Sequence, residues 1–266
     1  MKFHLQQVVE FRPSTQCFFN NETRKRVKGI TSLLKDVFYS NYNFFRATQG
    51  VKSEVTASKI KGPQGILRGK IVDEQVAETI AGKPPKKPHV FTNFVFAALR
   101  KANFTPRLSQ VVVYDQNCNL ATAIDILCTD GENKPVLIEL KCSSDSRYNQ
   151  YSGPMKGAMA HVNNSLANQH ILQAQVTRIL WQKTYGVPTR SFILQINAGG
   201  ANFIAVPEDE RINLAYQELV REAAPAPAAA KPPRQKKPRR PKGVPVKKGR
   251  VAKPKAPRKK KTAVAK

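Results

Sequence analysis

Residues 121–142, ATAIDILCTDGENKPVLIELKC, hold two apolar runs on either side of the polar loop DGENK at 130–134. Short runs rich in Ile, Leu and Val, separated by a loop containing Gly131, read as two strands joined by a hairpin. The strands are predicted over 121–128 and 135–142. Centring the hairpin on Glu132 sets Asp125 opposite Glu139, and directly opposed residues of an antiparallel pair project from the same side of the sheet. Lys141, two residues beyond Glu139, joins them. A slip of one residue would send the two carboxylates to opposite faces, so the site depends on this register.

Both runs are apolar around these charges: Ile124, Ile126 and Leu127 on one, Leu137, Ile138 and Leu140 on the other. That is the pattern of interior strands, where charge is costly. Two carboxylates close together in a poorly hydrated place force one to hold a proton unless a cation offsets both. A hard divalent metal supplies that cation. All-oxygen ligation by Asp125 and Glu139 suits magnesium or manganese rather than zinc, and the backbone carbonyl of Leu140 adds a further oxygen. Lys141 beside such a metal can orient or deprotonate a water and steady charge on a phosphate.

Working outward, QVVVYD at 110–115 is a third strand candidate, SFILQI at 191–196 a fourth, and a Gly-containing turn leads from it into NFIAV. Helices are expected at 68–80 (Ile71, Val76 and Ile80 on one face), at 92–102, at 165–185 and at 208–222. The 165–185 helix is closed by Gly186 and Pro188. An N-terminal piece, 1–60, carries a strand-like stretch at 3–11 and a helix-like ITSLLKDVFYS at 30–40; a loop at 52–65 leads into the main body, 61–222. From 223 the composition turns to Pro, Lys, Arg and Ala. Such a segment cannot bury enough apolar surface to offset its ordering entropy and is expected to be disordered.

The net charge is +27, and Lys231–Lys266 alone holds 17 Lys and Arg with no Asp or Glu, so removing it leaves +10 on the first 230 residues. A body that basic points to a polyanionic partner, nucleic acid first. KKPRRPK at 236–242 and PRKKK at 257–261 also fit nuclear import signals or a non-specific tether. Cys17, Cys118, Cys128 and Cys142 form no CxxC pair and read as reduced thiols of an intracellular protein. With no apolar leader segment and no run approaching a membrane span, a secreted or membrane-spanning protein is not expected.

Asp125 followed by Glu139-Leu140-Lys141 resembles the core motif of the PD-(D/E)XK nuclease superfamily. Arg68-Gly69-x-x-x-Asp73 resembles the RGxxxE or GxxxH segment of its lambda-exonuclease and RecB-type branches, and His170-x-x-Gln173-x-Gln175 is similar to the YxxQxQ run of lambda-type exonucleases. GITSLLK at 29–35 resembles the opening segment of RecB-type and mitochondrial genome-maintenance exonucleases. The resemblance covers roughly 29–206. Ile124 stands where the motif name has Pro, and Asp73 replaces a Glu or His. It implies an α/β, restriction-endonuclease-like core with a central mixed sheet flanked by helices. The implied activity is metal-dependent hydrolysis of DNA phosphodiester bonds, by an exonuclease of recombination, repair or replication, with an endonuclease or resolvase as the alternative. A non-catalytic basic DNA-packaging protein is the rival from another class. Asp73, Asp125, Glu139 and the Leu140 carbonyl are the implied metal ligands, and Gln173 the support of Lys141. Arg68, His170 and Arg178 are candidate nucleic-acid contacts. The cysteine set of iron-sulfur members is absent, so no cluster is expected. A nucleus or a virus-infected host cell would each house such a protein.

Overall fold

The computed structural model describes residues 8–12, 17–40, 62–142 and 148–224; the side chains of residues 62–66, 151 and 152 are not among them. The expected strand at 3–11 falls within it only from residue 8. The loop at 52–61 and the tail beyond residue 224 lie outside.

Ten strands are described: β1 Val9–Arg12, β2 Cys17–Asn20, β3 Arg26–Gly29, β4 Thr105–Asp115, β5 Leu120–Thr129, β6 Pro135–Cys142, β7 Tyr151–Pro154, β8 Asn163–Ser165, β9 Arg190–Asn197 and β10 Gly200–Ala205. Five α-helices accompany them: α1 Ile30–Val37, α2 Gly62–Ile80, α3 Val90–Lys101, α4 Leu166–Tyr185 and α5 Ile212–Ala223. The main sheet runs β1-β2-β3-β5-β6-β9-β10, with β4 also on β5; β7 and β8 form a separate pair. β3 is parallel to β5 and β6 parallel to β9, whereas β4 and β6 each run antiparallel to β5, so the sheet is mixed.

Helices cover both faces. On one, Ile30, Leu33 and Leu34 of α1, Leu172, Val176, Leu180 and Trp181 of α4 and Leu219 of α5 bury against Val111, Val113, Leu120, Ile124, Leu127 and Leu137. On the other, Val72 and Val76 of α2 and Phe91, Val95 and Leu99 of α3 bury against Ile126, Cys128, Val136, Ile138, Leu140 and Leu194. With apolar side chains on both faces, β5 and β6 are interior strands, as their composition requires.

Several boundaries differ from expectation for local reasons. α2 begins at Gly62 rather than 68, so residues 62–65 are helix where a loop is expected; Pro63 sits in the first turn, where its missing N–H is no loss. β4 begins at Thr105 rather than 110, and Pro106 is tolerated because the register shifts between it and Leu108. α4 starts at Leu166 because Ser165 caps it, its hydroxyl accepting from the Asn168 amide at 3.1 Å. Gly186, at φ 67, then stops the helix in the left-handed conformation its lack of a Cβ permits. α5 begins at Ile212 rather than 208 and runs one residue past the expected end of the body, to Ala223.

Candidate active site

The hairpin register is Ile126↔Ile138, Leu127↔Leu137, Cys128↔Val136 and Thr129↔Pro135, the pairing expected from a turn centred on Glu132. The ladder stops there. One more rung would set Asp125 against Glu139, and a second would set Leu140 against Ile124. Instead the Leu140 amide donates to Asp125 Oδ2 at 2.7 Å, which puts a side chain where a ladder partner would stand. On the same edge of β5, β3 pairs only with Leu120 and Ala121. β3 and β6 therefore share one edge of β5 and leave 122–125 between them, a fork in the sheet with Asp125 at its apex. Because a residue's N–H and C=O point to the same side of a strand, the Leu140 carbonyl opens toward this fork too.

Glu139 is buried, and its Oε1 accepts two bonds: from Lys141 Nζ at 2.6 Å and from Gln173 Nε2 of α4 at 2.5 Å. The resemblance implies that Gln173 supports Lys141. The structure brings the two onto one oxygen, so that support runs through Glu139. Thr177 Oγ1 in turn donates to the Gln173 carbonyl at 2.8 Å. Gln175 points elsewhere, donating to the Pro207 carbonyl at 2.9 Å.

Asp73 enters from α2, on the other helical layer. Burial lifts its carboxyl to about 6, with Glu139 and Glu74 adding to the rise and Lys141 opposing it. Burial and then Glu139 push Asp125 well above the usual carboxylate range, against the pull of Lys141 and the Leu140 amide. Burial works to lower Lys141, but Glu139, Asp125 and Asp73 outweigh it and hold the ammonium above its ordinary value. Among the described residues three carboxyls thus gather about the Lys141 ammonium, a crowding that a further positive charge would relieve.

Among the described residues no group of three or more His, Cys, Asp and Glu side chains is gathered closely enough to hold a metal ion. Glu139 is drawn to Lys141 and Gln173, and Asp125 to the Leu140 amide. The donor chemistry nevertheless fits a hard divalent cation: carboxylate and carbonyl oxygens only, with a charge deficit that such an ion would relieve.

His170 lies within reach of Lys141's field, its Nδ1 3.1 Å from Tyr148 Oη, and burial with the Lys141 charge drives its pKa down to about 3. It is a neutral imidazole and brings no positive charge to a phosphate. Arg68 lies over the Phe91 ring, 4.8 Å from the centroid, and its charge works against the burial that raises the Cys142 thiol to about 11 beside the site. Its buried Nε finds no hydrogen-bond partner among the described residues. Arg178 is engaged with Glu208 at 3.6 Å. Two tyrosines that the sequence does not mark also border the site. Burial raises both Tyr148, to about 12, and Tyr39, and each feels the Glu139 charge. No motif announces them, since they come from the segments flanking α1 and preceding α4.

No protein-family model matches the chain, and no curated protein does. Among solved structures it is similar to a protein described as "Putative exonuclease" from Eubacterium rectale, at 12% identity over 75% of this chain and 79% of that one, with a TM-score of 0.42. It is also similar to a protein named SSO0001, at 16% identity over 74% and 88%, with a TM-score of 0.24. With both scores below 0.5, any functional reading rests on the chemistry of the fork. No described helix is long and apolar enough to cross a membrane.

Proposed function

We propose that the chain is a magnesium- or manganese-dependent deoxyribonuclease that hydrolyses phosphodiester bonds with water. The observation that carries the reading is the fork itself: Asp125 and Glu139 beside Asp73, with the Lys141 ammonium among them and two of the carboxyls raised by burial and by their carboxylate neighbours. Asp73, Asp125, Glu139 and the Leu140 carbonyl would hold the metal. When bound, it supplies the missing positive charge and polarises the phosphate.

The chain's own residues supply the rest. Lys141 stays protonated, so it donates hydrogen bonds to the incoming water and to phosphate oxygens and offsets charge as the transition state develops. Glu139 fixes the ammonium by one hydrogen bond and leaves its other donors for the reacting groups. Gln173 holds the Glu139 carboxylate in place. Arg68, with an unused buried donor on the same helix as Asp73, is the proposed phosphate contact. The resemblance favours action on DNA ends, with endonuclease or resolvase action the alternative.

The test is cleavage of linear and circular duplex DNA with magnesium, with EDTA as control, by the wild type and by Lys141→Ala and Asp125→Asn. Both variants should lose cleavage by a thousandfold or more while DNA affinity stays within a few-fold, because phosphate contacts elsewhere supply the binding. Either variant cutting at the wild-type rate removes the assignment. Linear DNA degraded while circular DNA survives supports end-directed action.

A further inference from the structure

Asp125 occupies a rung where both flanking strands lose their alternation together. On β4, Leu108 faces the same helical layer as Val111 and Val113; on β5, Ile124 faces the same layer as Leu127. Each pair is three residues apart, an odd spacing that a regular strand would place on opposite faces. Ile126 and Cys128 accordingly bury in the other layer. The phase changes at a single rung, since Ser109 pairs with Ile126 and Val111 with Ile124, while Gln110 and Asp125, which lie between, are unpaired.

The same rung carries an unusual backbone. Gln110 has φ 53, in the left-handed region that a strand residue with a Cβ avoids, and its side chain is exposed. Nothing in the burial of Gln110 rewards that conformation. A regular alternation after Ile124 would stand Asp125 upright on the face opposite Ile124, away from the layer holding Glu139 and Gln173. With the rung turned, the carboxylate reaches the Leu140 amide inside the fork. Local ladder irregularities are a known means of re-aiming a side chain.

We infer that Gln110 is a positioning residue for Asp125, acting through its left-handed backbone to turn the carboxylate into the fork. The inference requires any residue at 110 to accept positive φ and asks nothing of its side chain. Its catalytic consequence rests on the nuclease reading; its structural consequence does not.

The experiment uses the full chain with Gln110→Gly, Gln110→Val and, as reference, Asp125→Ala, following the Leu140 amide resonance by NMR beside DNA cleavage. Gly accepts φ 53 freely, whereas a β-branched side chain resists it. The Gly variant should keep the wild-type Leu140 resonance and kcat. In the Val variant the resonance should move toward that of Asp125→Ala, and kcat should fall at least tenfold with KM within twofold. A general loss of stability would not single out this amide or spare KM. If Gln110→Val does not fold, Gln110→Thr, equally β-branched but polar for this exposed position, takes its place, with a shift in the same direction expected. A Val or Thr variant whose Leu140 resonance and kcat match those of the Gly variant overturns the inference. If Asp125→Ala cuts as the wild type does, the nuclease reading fails instead, and the resonance alone still decides the role of Gln110.

Discussion

Glu139 Oε1 accepts from both Lys141 and Gln173, so the lysine's aim depends on a residue that need not touch substrate. Replacing Gln173 by Leu should leave Glu139 free to swing and lower kcat by about tenfold to a hundredfold, the range typical of lost supporting contacts around such sites. KM should hold, and a single-turnover assay separates the two. An unchanged kcat would reduce Gln173 to packing. His170 offers a test that needs no substrate. Its folded pKa of about 3 lies below the unfolded value of about 6.5. A histidine held neutral gives stability that is fully present above pH 6.5 and is lost as pH falls from there toward 3, because the unfolded chain takes up a proton that the folded chain refuses. One proton corresponds to a slope of up to about 1.4 kcal/mol per pH unit. Urea unfolding between pH 4 and 6.5 should show a shallower acid slope for His170→Gln than for the wild type, and equal slopes would mean that the buried imidazole does titrate.

One polar tie among the described residues joins three elements. Asp115, at the end of β4, accepts from Tyr216 Oη of α5 at 2.8 Å and meets Lys183 Nζ of α4 at 3.3 Å. Burial works to raise its carboxyl, yet Tyr216, Lys183 and the Asn117 amide together hold it below the usual range. Tyr216→Phe removes one donor from a buried carboxylate, and should cost about 1.5–3 kcal/mol in chemical denaturation without altering turnover of the folded protein. A cost below about 0.5 kcal/mol would show that water replaces the hydroxyl. At this scale the sequence is most readable where strands are long and apolar: β6 falls at 135–142 as expected, and the symmetric DGENK loop is enough to set its register against β5. It is least readable where strands are four residues or fewer. CFFN and RVKG, which form β2 and β3, carry too few residues for alternation to show, and β7 and β8 are equally short. The fork depends on one of these unread strands, because β3 occupies the β5 edge beside Leu120 and Ala121 across some ninety residues of chain. The register of the hairpin as far as Ile126 and Ile138 is therefore legible from the sequence alone. The opening into which Asp125 turns is not, nor is the left-handed Gln110, which no glycine marks.

Over the whole molecule the charge falls into two parts, and the parts should do different work. The compact unit ends at Pro225, and all 17 Lys and Arg of the basic C-terminal stretch lie beyond it, against +10 on the first 230 residues. Each phosphate neutralised on duplex DNA steepens the salt dependence of binding by roughly 0.9 log unit per log unit of salt. If the stretch engages even five phosphates, its removal flattens that slope by about 4.5. That corresponds to roughly 2.7 decades of affinity change between 50 and 200 mM salt. Deleting residues 226–266 should therefore weaken binding to all sequences alike and make what remains less sensitive to salt. Asp73, Asp125, Glu139, Lys141 and Gln173 all sit on elements that complete their packing before that cut. At low salt and saturating DNA the shortened protein should turn over at about the full-length rate. Binding isotherms over a salt series, with turnover measured at saturation for both forms, read the two effects separately. Loss of turnover at saturation would mean that the basic stretch belongs to the catalytic machinery, and an unchanged salt slope would mean that the body alone meets the phosphates.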